Sequence, residues 1–193
     1  MSGVSDGGPR FGLGRGKVFP AADARRLLNP ARRLVQPPRR VVRHMDLRAT
    51  DRVLEIGPGP GYFSGELARS VPRGRVVLFD LQAEMLRMAR EQTRLTDNVG
   101  AVQGDAACLP YPPACFDAVL LVTVLGEVPD PAACAREISR VLRPGGHVSI
   151  AETRRDSDFI ALRDLRGLLE PAGFTLESRH GIPWEYVARF RAS

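Results

Sequence analysis

Three glycines spaced two apart, Gly57, Gly59 and Gly61, follow a short apolar run at Arg52–Ile56 and lead into a helical pattern from Tyr62 to Ser70. A strand that ends in a glycine turn and passes into a helix N-terminus is a ligand cradle. Glycine allows unusual φ values and lets backbone N–H groups approach a bound group closely. This stretch predicts one nucleotide-binding α/β domain for the remainder of the chain.

The rest of the sequence alternates accordingly. Strands are expected at 52–56, 76–79 with Asp80 at its end, 99–103, 116–122 and 147–152. Helices are expected at 61–71, 82–95, 131–142 and 158–170. Residues 116–122 are apolar almost throughout, as in a strand buried on both faces. The run Arg143-Pro144-Gly145-Gly146 reads as a stop and turn. Strands separated by helices of ten to fourteen residues make a parallel, doubly wound sheet. Two closing strands, 174–179 and 184–190, are joined by a few residues around His180 to Pro183. So short a connection cannot make a parallel crossover, so the last strand is expected antiparallel.

At 193 residues the chain is long enough for one domain with a real core. No apolar run approaches the ~18 residues of a membrane span, and the N-terminus lacks a signal-peptide core, so a cytoplasmic protein is expected. The net charge of +6 is unevenly placed: residues 1–50 hold eleven of the 28 Arg and Lys but three of the 22 Asp and Glu. A Gly- and Arg-rich leader at 1–18, a helical lid segment at 19–48 and a slightly acidic body at 49–193 are the expected divisions. Cys108, Cys115 and Cys134 show no metal spacing and read as reduced thiols; no metal site is expected.

Ligands of an open α/β sheet sit at the carboxyl ends of its strands. Asp80, about twenty residues beyond the glycines, is placed to accept from both hydroxyls of a ribose. Asp105, after the third strand, can accept from an adenine amine, the Ala106 N–H can donate to a ring nitrogen, and Leu81 can lie against the base. Together these make an adenosine site. The dinucleotide fingerprint needs glycine five positions after the first, where Tyr62 stands, so NAD is the runner-up. No Walker lysine follows the turn. A slightly acidic body suits a cofactor carrying sulfonium and ammonium groups, with Glu55 near that positive end.

The segments 53–64, 76–86, 103–107, 116–130 and 140–152 resemble, in order, the motifs of class I S-adenosylmethionine-dependent methyltransferases. The resemblance is strongest to the "methyltransferase type 11" group of small-molecule enzymes that includes the quinone-biosynthesis methyltransferases, and covers about 49–190. It implies a seven-stranded Rossmann-like sheet of order 3-2-1-4-5-7-6 with strand 7 antiparallel. It further implies S-adenosylmethionine as cofactor, with Gly57, Gly59 and Gly61 facing its methionine part, Asp80 its ribose, and Asp105 and Ala106 its adenine. Thr123 is implied beside the cofactor near the acceptor.

Methyl transfer requires mainly that the nucleophile be held in line, and a base only where the acceptor is protonated. Glu127 is the candidate base or acceptor contact; otherwise it is a solvated loop glutamate. His147 is expected at the surface, while His44 and His180 are candidates for the pocket border. Tyr62, Trp184 and Tyr186 are core or pocket wall, and Phe63 is core. The place after the fourth strand reads Thr123-Val124-Leu125-Gly126, not the Asn/Asp-Pro-Pro-aromatic run of amino-directed nucleic-acid methyltransferases. No Pro-Cys nucleophile is present, since Ala114 precedes Cys115. A small-molecule acceptor is therefore expected, with no nucleic-acid partner, in a monomer or homodimer. Since 152–174 has room for only one helix, the lid falls to about residues 19–45. Two other functions fit the same residues: a cofactor-binding protein without catalysis of its own, or an RNA methyltransferase guided by the basic arm.

Overall fold

The structure is a computed structural model that describes residues 19–29, 36–94 and 96–193. The expected leader at 1–18 lies outside the described residues, as does Leu95. Seven strands form one sheet: β1 (Arg52–Ile56), β2 (Arg75–Asp80), β3 (Val99–Gln103), β4 (Phe116–Val122), β5 (Leu142–Thr153), β6 (Phe174–Ile182) and β7 (Glu185–Ala192). Their order is β3-β2-β1-β4-β5-β7-β6. Strands β1 to β5 pair in parallel, and β7 runs antiparallel to both β5 and β6. The fold and the direction of the last strand are those expected.

Six helices accompany the sheet among the described residues: α1 (Ala24–Leu27), α2 (Pro38–Arg43), α3 (Ser64–Ser70), α4 (Ala83–Gln92), α5 (Pro131–Val141) and α6 (Leu162–Leu169). The alternation of side chains on β4 divides the core. Ala118 and Leu120 pack with α2, α3 and α4 on one face, through Val41, Met45, Leu67 and Ala89. Val119 and Leu121 pack with α5 and α6 on the other, through Ile138, Leu165 and Leu169. A strand covered on both faces has no polar side, which is why β4 is apolar throughout after Asp117. Helix α5 starts where its sequence says it should: Pro131 occupies the first turn, and the Asp130 side chain accepts from the Ala133 N–H at 2.8 Å.

Several boundaries differ from expectation. Helix α3 begins at Ser64, because 57–63 are consumed by the glycine turn. The expected stop at Arg143–Gly146 is instead part of β5: Leu142 already pairs with Phe116, and the register slips before Ala118 pairs with His147. Gly145, at φ 74°, takes the left-handed conformation that such an irregularity needs. The expected helix at 158–170 shortens to α6, because Glu152 accepts the Ile160 N–H at 3.2 Å and holds the preceding loop extended. The final hairpin is longer and tighter, with Pro183 and Trp184 alone between its strands.

Candidate active site

A cavity of about 140 Å³ opens at the carboxyl ends of β1, β2, β3 and β4. The three glycines of the turn have different tasks. Gly57 (φ 63°) donates its N–H to the Phe79 carbonyl at 2.8 Å, and a Cβ there would lie 2.4 Å from Val124 Cγ2. Gly61 (φ 89°) lets α4 approach, since its Cβ would come within 2.7 Å of the Ala89 Cα. Among the described residues, Gly59 (φ 53°) has open space on its Cβ side, with only Leu27 Cδ1 nearby at 3.5 Å. Gly57 and Gly59 line the cavity, whereas Gly61 packs against α4 outside its lining.

Four acids and their neighbours shape the interior. Glu55 ends β1 on the α3 face, is almost fully buried, and accepts the Ser64 hydroxyl at 2.6 Å. Burial pushes its carboxyl up to about 7. Asp80, also buried, accepts the Gln82 N–H at 2.9 Å. Burial raises its pKa, while the N–H groups of Gln82, Gly59 and Leu81 oppose the rise. Asp105 closes a turn by accepting the Ala107 N–H at 2.9 Å and lines the cavity beside Ala106. Leu81 is 51% exposed at the cavity edge.

Thr123, at the end of β4, sits at φ 52°, a conformation a β-branched residue rarely adopts. Its N–H donates to the Ala151 carbonyl at 2.9 Å and its hydroxyl to the Val122 carbonyl at 2.8 Å. These bonds hold the strained turn that directs the chain toward Glu127. Glu127 Oε2 accepts the Phe19 N–H at 3.0 Å. Burial, then the nearby Asp156, Asp158 and Asp80, push Glu127 up to about 7. The cavity thus gathers every candidate cofactor-binding or catalytic residue except Gly61.

The structure adds residues that sequence reasoning missed. Phe19 and Leu27 cover the cavity individually, although only a lid segment was expected there. Asp156 joins the wall and carries no local signal in the sequence. Glu152, on β5, is buried and pushed up to about 8, first by burial and then by Asp156, Asp158 and Glu127. Its signal was available: a carboxylate directly after the apolar pair Ile150 and Ala151, near the end of an expected strand.

The histidines depart from expectation. His147 is half-buried rather than on the surface, because β5 lies inside the sheet between β4 and β7; burial lowers its pKa. His44 and His180 stack with ring centroids 3.9 Å apart, but they line a separate depression behind α2, not this cavity. Tyr186 is core, with its hydroxyl donating to the Ile160 carbonyl at 2.7 Å, whereas Trp184 is 54% exposed on the last hairpin. Phe63 is buried, packs edge-on against Tyr62, and borders the cavity. Among the described residues no group of His, Cys, Asp and Glu could hold a metal ion, and no helix is long and apolar enough to cross a membrane.

The chain is 40% identical over 110 residues to the ubiquinone/menaquinone biosynthesis C-methyltransferase UbiE of Hahella chejuensis. That alignment covers 55% of this chain and 44% of the Hahella protein. It is also 40% identical over 125 residues to an uncharacterized 37.1 kDa protein in transposon TN4556 of Streptomyces fradiae, covering 63% of this chain and 35% of that protein. The chain thus spans less than half the length of either relative. In fold it is similar to a SAM-dependent methyltransferase from Aquifex aeolicus, with a TM-score of 0.82 at 20% identity over 90% of this chain and 98% of that one. It is similar as well to the [4+2]-cyclase SpnF, with a TM-score of 0.72 at 20% identity, covering 80% and 79% of the two chains. Residues 54–150, from inside β1 to inside β5, match the family described as Methyltransferase domain, and the chain belongs to that family.

Proposed function

We propose that this protein transfers a methyl group from S-adenosylmethionine to a small-molecule acceptor by in-line displacement. One observation carries the reading: the glycine turn after β1, buried Asp80 at the end of β2 and Asp105 two residues beyond β3 line one cavity, in the order an adenosine compound requires. The donor set fits that cofactor. Asp80 offers carboxylate oxygen to ribose hydroxyls, and Asp105 and Ala106 offer an acceptor and an N–H to adenine. Gly57 and Gly59 keep side chains out of the space for the methionine part. Glu55, half-protonated near neutrality, gains a partner when a cation stands beside it.

S-adenosylmethionine supplies a methyl carbon already activated by its sulfonium. The chain's own share is to position and to exclude water, which can be worth ~7–11 kcal/mol of barrier. Residues 19–27 act as the lid: Phe19 and Leu27 cover the cavity from outside the sheet. Glu127 stands under that lid as an acceptor contact or as a base for a protonated acceptor. Similarity to the UbiE relatives supports a small-molecule acceptor.

Calorimetric titration with S-adenosylmethionine, on the wild type and on Asp80→Ala, tests the reading. Loss of charge-assisted bonds worth ~1.5–3 kcal/mol should weaken binding roughly ten- to a hundred-fold. No binding to the wild type, or preferential binding of NAD, would overturn it.

A further inference from the structure

The cavity wall carries five carboxylates, Glu55, Asp80, Asp105, Glu127 and Asp156, and no arginine, lysine or histidine among the described residues. Yet the whole chain has a net charge of +6. None of the five forms an ion pair among the described residues. Glu55 and Asp80, at the ends of β1 and β2, and Asp105, just beyond β3, belong to the cofactor side of the proposed reaction. Glu127 and Asp156 follow β4 and β5 and form the other end.

Two further carboxylates stand behind that end, Glu152 at 1% exposure and Asp158 at 7%. Oε1 of Glu152 and Oδ1 of Asp158 have no hydrogen-bond partner among the described residues. Carboxylates gathered away from water without a counter-charge are costly, whether they ionise or stay protonated. Neither Glu152 nor Asp158 lines the cavity, but both lie close enough to interact unfavourably with the Glu127 charge, so a cation held beside Glu127 offsets part of the cost. The positive groups of S-adenosylmethionine fall to the Glu55 side, so a second cation is called for.

We infer that the acceptor taken at the Glu127–Asp156 end is a protonated amine on a small apolar body. An ammonium group donates three charge-assisted hydrogen bonds, which two carboxylates can share. Val124, Val128 and Pro129 line the same end and suit the apolar part. The inference rests on the methyl-transfer reading for the direction of the cavity, but amine binding is measurable without turnover.

The test is calorimetric titration of the full chain, alone and with S-adenosylhomocysteine, using n-hexylamine, 2-phenylethylamine and tryptamine beside their matched alcohols. At least one amine should bind ~10-fold or more tightly than its alcohol. That preference should vanish in Glu127→Gln/Asp156→Asn, while S-adenosylhomocysteine still binds and the melting temperature shows a folded protein. Equal binding of amines and alcohols, or a preference that survives the double substitution, would overturn the inference. Amine preference with no S-adenosylhomocysteine binding would support the acidic end as an amine site and overturn the methyl-transfer reading instead.

Discussion

The main-chain N–H of Phe19 donates to Glu127 Oε2 across 3.0 Å, joining residues 108 positions apart. The carbonyl of the same residue accepts from Gln82 Nε2 at 2.8 Å. One residue thus ties the turn after β4 to the turn after β2 over the cavity mouth. Both ties are single hydrogen bonds, so the strap can open at low cost.

A chain beginning at residue 36 would remove this strap and keep α2, whose Val41 and Val42, with Met45 just beyond, are buried in the core. Such a truncation is expected to fold, with the strands as protected from hydrogen exchange as in the full chain. Exchange at 57–64 should quicken, and S-adenosylmethionine affinity should fall about tenfold or more as an apolar cover and a charge-assisted bond are lost. Unchanged affinity would deny residues 19–27 a role as lid.

The glycines of the turn should separate stability from binding. Gly61→Ala places a methyl against the Ala89 backbone at 2.7 Å, so helix α4 must shift. A loss of about 1–3 kcal/mol is expected in urea unfolding. Among the described residues Gly59→Ala meets only Leu27 at 3.5 Å, and should cost little more than the ~1–2 kcal/mol of a non-glycine left-handed residue. Its added methyl should nonetheless weaken S-adenosylmethionine by more than its stability cost explains. If Gly61→Ala impaired binding at full stability, the division of tasks would be wrong.

Glu152 should make the fold less stable as pH rises. Its carboxyl is held at about 8 in the folded chain, against 4.5 for an exposed glutamate. Between these values the native state binds more protons than the unfolded one, so stability is present below pH 4.5 and declines up to about pH 8. Glu152→Gln keeps an oxygen for the Ile160 N–H and removes the charge. It should raise stability at pH 8 by on the order of 2–4 kcal/mol and change it little at pH 5. Equal effects at the two pH values would show that Glu152 is not held protonated.

The sequence disclosed what periodicity and turn chemistry govern. The apolar run of β4, the glycine turn, and the short connection before β7 each led to the observed sheet. Boundaries failed where tertiary partners overrode local signals. Arg143–Gly146 reads as a turn, but pairing of Leu142 with Phe116 draws it into β5. Residues 158–161 read as helix, but the bond from Ile160 to Glu152 holds them extended. The resemblance groups Gly61 with the ligand-facing glycines, and spacing along the chain does not reveal that Ala89 lies across from it. His147 looked exposed because it follows two glycines, whereas sheet order places its strand centrally. Glu152, Asp156 and the covering Phe19 come together only through long-range contacts, which no local window contains.

The stacked pair His44 and His180, with ring planes 10° apart, predicts an opposite response to acid. Burial lowers the His44 pKa first, followed by repulsion from His180, Arg40 and Arg43. Glu185 from β7 and Tyr186 border the same depression. A histidine whose folded pKa lies below its unfolded value of about 6.5 binds fewer protons in the native state. Its contribution is therefore intact above pH 6.5 and is lost as pH falls. Glu55, Glu127 and Glu152 change stability in the other direction over a neighbouring range, so the wild-type curve alone mixes the two. The informative quantity is the difference between wild type and His44→Phe, which keeps a ring against His180 and cannot take a proton. That difference should shift in favour of the phenylalanine variant as pH is lowered from 7 to 5 in thermal unfolding. A difference that stays constant across this range would mean that the stack tolerates the charge, and that α2 is held to the β6–β7 hairpin by packing alone.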